Sequence, residues 1–200
     1  LDEPAIVVAH SFGCLVARAL AETRPELVRA LVLLDPILTA DWWPATRESE
    51  ARRRYGVCVA RTLAWAARFG LVRLGVSLMT AQRRRLSASA QQLLGEIEKL
   101  PPETWPVVRS HWSRPQSFVS MRGYLEALPE SCEEGAKFAP LGDLPLTVIS
   151  GAHWSPEQRA EHLRWARLSS NGRHLVARQG RHWIHLDDPE LVIEEVRRLC

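Results

Sequence analysis

Ser11 is the residue whose surroundings most suggest chemistry. It sits in Ala9-His10-Ser11-Phe12-Gly13, where an apolar run turns directly into a helix-forming segment. A small-x-Ser-x-Gly turn at such a junction is a nucleophile elbow. The serine stands exposed on a tight turn at a strand's carboxyl end, and its neighbours must be small because strand and helix approach closely there. Ala9 has only one methyl to place, and Gly13 fills the second small position. The helix start adds partial positive charge near a developing oxyanion, and the N–H of Phe12 is the expected oxyanion donor.

A serine nucleophile needs a base. His182 lies in the loop Gln179-Gly180-Arg181-His182, seven residues before Pro189, which opens the last helix. It would take the Ser11 proton and return it to the leaving group. His185 is the second candidate in the same loop. His10 adjoins the serine but points elsewhere on the turn, so it is not the expected base. His111, His153, His162 and His174 show no metal-ligand spacing and read as surface or packing residues.

A third group should orient the imidazole and balance its charge. Asp35 ends the apolar run Leu31-Val32-Leu33-Leu34 and is followed by Pro36. Glu157 is the alternative, past Pro156 and on the start of a helix. Asp35 is the favoured acid because it lies directly at the end of a core strand; a site with no working acid is the third alternative. This chemistry calls for no cofactor and no metal.

The elements that must hold these residues follow from periodicity. Four apolar runs, Pro4–Ala9, Ala30–Leu34, Leu144–Ser150 and His174–Arg178, read as parallel strands in that order. The first two flank a helix over Cys14–Thr23, which makes a right-handed βαβ unit. The stretch from Ile37 to Phe138 is helical in character, with helices expected over Arg47–Arg54, Val57–Gly75, Ser87–Leu100, Thr104–Trp112 and Ser117–Leu128. Ser87 is a plausible cap. Glu157–Leu168 and Pro189–Leu199 complete the set. The expected organisation is a core over residues 1–38, a helical lid over 39–138 and a second core segment over 139–200.

Three stretches carry a resemblance: Val7–Pro36 (VVAHSFGCLVARALAETRPELVRALVLLDP), Leu141–Ala152 (LGDLPLTVISGA) and Gln179–Leu199 (QGRHWIHLDDPELVIEEVRRL). They resemble the elbow, penultimate strand and histidine loop of the α/β-hydrolase superfamily. That resemblance implies an α/β fold, the C-terminal portion of the hydrolase parallel sheet with an inserted helical lid. It implies a serine hydrolase, esterase-like, with Ser11, His182 and Asp35 as triad and a small to medium apolar substrate. The usual acid position after Ser150 holds no aspartate; a second position known in the superfamily corresponds to Asp35. Arg181 stands where a glycine is frequent. Trp42 and Trp43 follow the acid closely and are the expected pocket wall, while Trp105, Trp112 and Phe118 are expected in the lid's own core.

The superfamily's earlier strands, one of whose loops gives the second oxyanion donor, have no counterpart before Leu1. The chain therefore reads as a piece of a longer enzyme, with the first strand an edge able to pair with another segment. A non-catalytic binding module of the same fold, or an inactive fragment, is the competing reading. Ser11 disfavours the aspartate-nucleophile chemistry of dehalogenases and epoxide hydrolases.

Composition bounds the rest. The 200 residues are 46% hydrophobic with a net charge of only +3, so no nucleic-acid partner is implied. Arg52–Arg54 and Arg83–Arg85 read as solvated helix surface. Val57–Met79 is broken by Arg61, Arg68 and Arg73, too costly for a membrane span. The four scattered cysteines read as reduced thiols in a cytoplasmic protein.

Overall fold

A computed structural model describes residues 3–81 and 99–200. They form two compact units, one of Leu1–Pro44 with Ser131–Cys200 and one of Ala45–Glu130.

The first unit is built on a four-stranded parallel sheet. Its strands are β1 (Ala5–His10), β2 (Val28–Leu34), β3 (Leu146–Ser150) and β4 (Gly172–Val176), adjacent in chain order. Order and direction agree with the expectation from the apolar runs; the ends differ by one or two residues. β2 and β3 are interior strands and predominantly apolar, as strands with both faces covered are. Leu31, Val32, Leu33, Val148 and Ile149 are fully buried. β1 is an edge of this sheet, with Val8 45% exposed.

Helices pack on the sheet. α1 (Gly13–Thr23) buries Cys14, Leu15, Ala17 and Ala21. On the other flank Ile6, Leu191, Val192, Val196 and Leu199 pack against the cluster of Val32, Leu34, Ile149 and Ile184. All four strands run in one direction, so their carboxyl ends share one edge of the sheet. The elbow, Asp35, Gly151 and the histidine loop all leave from that edge, where open α/β sheets bind ligands.

The second unit is helical. α2 (Arg47–Arg68) starts at Thr46, whose hydroxyl accepts the Ser49 N–H at 3.1 Å while Ser49 Oγ accepts the Thr46 N–H at 2.9 Å. Sequence periodicity suggested a break near Tyr55-Gly56; instead α2 runs through it. A Cβ on Gly56 would stand 3.0 Å from Leu125 Cδ1, so the glycine serves a close helix contact. The break falls at Gly70, whose φ of +73° ends the helical path before α3 (Leu71–Ala81).

Two further helices follow, α4 (Trp105–Trp112) and α5 (Pro115–Ala136). α5 was expected to stop at Leu128, before Pro129, yet it continues eight residues further. The proline forfeits one backbone hydrogen bond, and the buried stripe of Leu128 and Cys132 continues across it. The helix expected over Ser87–Leu100, its Ser87 cap and the Arg83–Arg85 run lie mostly or wholly outside the described residues. The remaining helices belong to the first unit: α6 (Pro156–Ala166), the short α7 (Ile184–Asp187) and α8 (Pro189–Leu199).

Candidate active site

Among the described residues, Ser11 (φ +55°) and Asp35 (φ +46°) are the non-glycine residues with positive φ. A left-handed conformation costs a side-chain-bearing residue about 1–3 kcal/mol and persists only where the surroundings enforce it. Here the sheet does so. The hydrogen-bond ladders of β1, β2 and β4 extend one residue past the strand end: Ser11 N–H donates to Leu34 O at 2.9 Å, Asp35 N–H to Ile149 O at 2.8 Å, and Ala177 N–H to Ser150 O at 2.9 Å. The elbow serine and the aspartate are thus each pinned to a neighbouring strand.

The histidine loop is fastened to the same edge. Ala152 N–H donates to Gly180 O at 3.2 Å, and a Cβ on Gly151 would meet Arg181 O at 2.7 Å. Asp187 Oδ2 accepts the Arg181 N–H at 2.9 Å. This places His182 so that its Nδ1 lies 2.8 Å from Asp35 Oδ2. The carboxylate is fully buried and the imidazole 41% exposed. A carboxylate only accepts, so Nδ1 carries the proton and Nε2 is left as the basic atom.

The other carboxylate oxygen, Asp35 Oδ1, accepts the Gly151 N–H at 2.8 Å and the Trp154 Nε1–H at 2.5 Å. Burial alone would favour the neutral acid. The His182, Gly151 and Trp154 hydrogen bonds outweigh it and hold the carboxyl below its ordinary range. Asp35 is therefore ionised at neutral pH. Glu157, by contrast, is exposed on α6, its carboxyl lowered by the Ser155 hydrogen bond.

His10 joins the elbow to the histidine loop. Its Nε2 lies 2.6 Å from His182 O, and the two rings are 4.4 Å apart at their centroids. Burial lowers its pKa to about 4, so the ring is neutral and Nε2–H donates to the carbonyl. His185 packs edge-on to His10 at 5.0 Å and has no carboxylate bond among the described residues. Cys14, just past the elbow, is fully buried; its thiol points at Ala9 O (3.4 Å), and burial pushes its pKa up, so it offers no competing thiolate.

Ser11 and His182 thus leave the same edge, linked through His10. Among the described residues there is no hydrogen bond between Ser11 Oγ and the His182 ring. The Phe12 peptide directly follows Ser11 at the entrance to α1, and Phe12 O accepts the Leu15 N–H at 3.0 Å.

Trp42 is half-buried. Trp43 lines a cavity of about 410 Å³ together with Thr39, Phe138, Glu161 and Trp165. None of Ser11, Asp35 and His182 lines that cavity.

Sequence reasoning missed Trp154, Gly151 and a buried polar chain. His162, read as an ordinary surface or packing residue, is fully buried and fully hydrogen-bonded: Nδ1 lies 2.7 Å from Ser150 Oγ, and Nε2 lies 2.8 Å from Pro36 O. His174 Nε2 meets the same Ser150 Oγ at 2.7 Å. A buried Trp–Asp pair has no local spacing to betray it. The hint available for His162 was its place on α6 in a segment that packs on β3.

The four cysteines are free. Among the described residues no group of His, Cys, Asp and Glu could hold a metal ion, and no helix is long and apolar enough to cross a membrane.

Comparison with known proteins agrees with this fold. A stretch of the chain is 58% identical over 40 residues to lipase LipV of Mycobacterium tuberculosis, 20% of this chain and 15% of that protein. Among solved structures, a mutant of a candidate epoxide hydrolase from Pseudomonas aeruginosa superposes with a TM-score of 0.63 at 17% identity, covering 99% of this chain and 68% of that one. Epoxide hydrolase VrEH1 from Vigna radiata gives 0.59 at 18% identity, with 98% and 67% covered. Thus the chain spans about two thirds of the length of these structures, and only a small part of the lipase is matched. The family model for the alpha/beta hydrolase fold matches residues 1–189, and the chain belongs to that family.

Proposed function

We propose that this chain carries the catalytic centre of a serine hydrolase that cleaves carboxylic esters through an acyl-enzyme, with Ser11, His182 and Asp35 as its triad. The observation that carries the reading is the 2.8 Å bond from His182 Nδ1 to a buried, ionised Asp35, made at the edge of the sheet where Ser11 sits on its left-handed turn.

The steps follow from the atoms. Ser11 Oγ attacks the ester carbonyl carbon while His182 Nε2 takes the hydroxyl proton. The carbonyl electron pair moves to oxygen, and the Phe12 N–H is the proposed donor to that charge. The tetrahedral species collapses, the C–O bond to the alcohol breaks, and His182 returns the proton to the leaving oxygen. A water then attacks the acyl-Ser11 carbonyl with the same base, releasing the acid and restoring the serine. Asp35 keeps Nδ1 protonated and balances the imidazolium.

The unit Ala45–Glu130 falls in the chain where the family carries a lid, and its proposed role is to close over the acyl group. Trp42 is the proposed pocket wall, with Trp43 beside it. The edge of β1 is the proposed pairing site for a further strand. The lipase similarity supports ester substrates; the epoxide hydrolase likeness is a likeness of fold. Aspartate-nucleophile opening of an epoxide would need a carboxylate where Ser11 stands.

The test is hydrolysis of p-nitrophenyl esters of graded acyl length by the full-length protein and its Ser11→Ala variant. Ester turnover abolished by the substitution supports the reading. Equal rates for both proteins would leave the fold as a binding module.

A further inference from the structure

The hydrogen-bond direction in the buried chain below Asp35 can be worked out from its ends. Pro36 O can only accept, so His162 Nε2 carries a proton. Burial makes the His162 and His174 rings poor bases, so each is neutral and has one N–H. His162 Nδ1 must then accept, which obliges the Ser150 hydroxyl to donate to it. Ser150 Oγ in turn accepts from His174 Nε2–H. Each of the three hydrogen bonds linking His174, Ser150, His162 and Pro36 thus has an assigned donor and acceptor.

This chain touches the surroundings of Asp35 at three places. Pro36 is the residue after Asp35, and its carbonyl is held by His162. Ser150 is the residue before Gly151, whose N–H binds Asp35 Oδ1. The His162 ring packs edge-on against Trp154, centroids 6.0 Å apart, and Trp154 is the other donor to Asp35 Oδ1. Asp35 itself is held at φ +46°, a conformation it would leave if its flank were released.

We infer that His162 and Ser150, with His174 as the terminal donor, are positioning residues: they lock the left-handed backbone at Asp35 and so aim its carboxylate at His182 Nδ1. This rests on the triad proposed above for its catalytic consequence, but the geometric claim stands apart from catalysis. The link that matters most is His162 Nε2–H to Pro36 O.

Two near-isosteric variants separate that link from mere filling of space. In His162→Asn the amide reaches where Nδ1 was and can still accept from Ser150, but nothing reaches Pro36 O. In His162→Gln the amide N–H reaches where Nε2 was and can still donate to Pro36 O. Two readouts are taken on the full-length protein: the downfield proton resonance of His182 Nδ1–H, which reports its bond to the Asp35 carboxylate, and ester turnover.

The expected result is that His162→Asn shifts or broadens that resonance and lowers kcat about 10²-fold with KM little changed. His162→Gln should restore the resonance and most of kcat. If His162→Asn does not fold, Ser150→Ala takes its place and should disturb the same resonance. An unaltered His182 resonance in whichever of these variants folds overturns the inference, whatever the activity. A protein without esterase activity, whose His182 resonance still responds to His162→Asn and recovers in His162→Gln, would overturn the hydrolase reading and leave this inference standing.

Discussion

Trp154 and Asp35 meet through a single short hydrogen bond, indole Nε1–H to carboxylate Oδ1 at 2.5 Å. The other carboxylate oxygen serves His182, so the indole fixes the plane in which the carboxylate faces the imidazole. Replacing Trp154 by Phe keeps most of the ring volume and removes the donor. Losing a hydrogen bond to a buried charge costs about 1–3 kcal/mol. Trp154→Phe should lower stability by about that amount in denaturant unfolding. It should also lower kcat about 10-fold with KM little changed, because the acid remains but is less well aimed.

Asp35→Asn should leave the fold intact and lower kcat about 10³- to 10⁴-fold, as loss of a histidine-orienting carboxylate does. The amide cannot balance the imidazolium, and it can present N–H to Nδ1 and so favour the wrong tautomer. Glu157→Gln should change turnover less than about 2-fold, because that side chain is exposed on α6. Steady-state kinetics on the two variants separates the two carboxylates; a reversed order would move the acid to Glu157.

The His10 ring links acidity to stability. Its pKa in the folded protein is about 4, against 6.5 when free, because burial disfavours the cation. Between those two values the unfolded chain binds the proton and the folded one does not, so stability falls as pH falls through that window. Fully below it His10 alone would account for at most about 3 kcal/mol. His153, His162, His174 and His185 are lowered by burial too and act in the same direction. Asp35, held low, contributes stability that is lost only at more acid pH. Melting temperatures at pH 7 and pH 5 should show a drop for the protein and a smaller drop for His10→Asn.

Gly180 holds the turn that delivers His182. Its φ is +101°, and a Cβ there would collide with the Asp187 side chain, which accepts the Arg181 N–H. Gly180→Ala should therefore destabilise by about 1–3 kcal/mol. It should also loosen the histidine loop, so kcat should fall more than KM rises. Unfolding curves and steady-state kinetics on one preparation check both effects.

Much of this site was legible because its signals are local. An apolar run followed by Ala9-His10-Ser11-Phe12-Gly13 announces a strand, a tight turn and a helix within a few residues, and the structure has them. Asp35 was legible for a related reason: it ends a strand whose both faces are buried, so it had to emerge at the sheet's carboxyl edge.

What was not legible depends on the third dimension. Trp154 and His162 come to Asp35 from more than a hundred residues away in the chain, across β3 and α6. Neither has a spacing that marks it. The helices of the second unit and α5 were misjudged where tertiary packing overrode local rules, Gly56 being kept helical beside Leu125 and Pro129 being crossed by α5.

Covalent trapping reads out whether Ser11 is a nucleophile activated by His182. The full-length protein is treated with a fluorophosphonate at neutral pH, and its intact mass and labelled peptide are measured. One phosphonyl group per chain is expected, located on Ser11, with labelling abolished in Ser11→Ala and slowed at least about 10²-fold in His182→Ala. A folded protein that takes up no label at Ser11, or takes it up equally fast without His182, would contradict it.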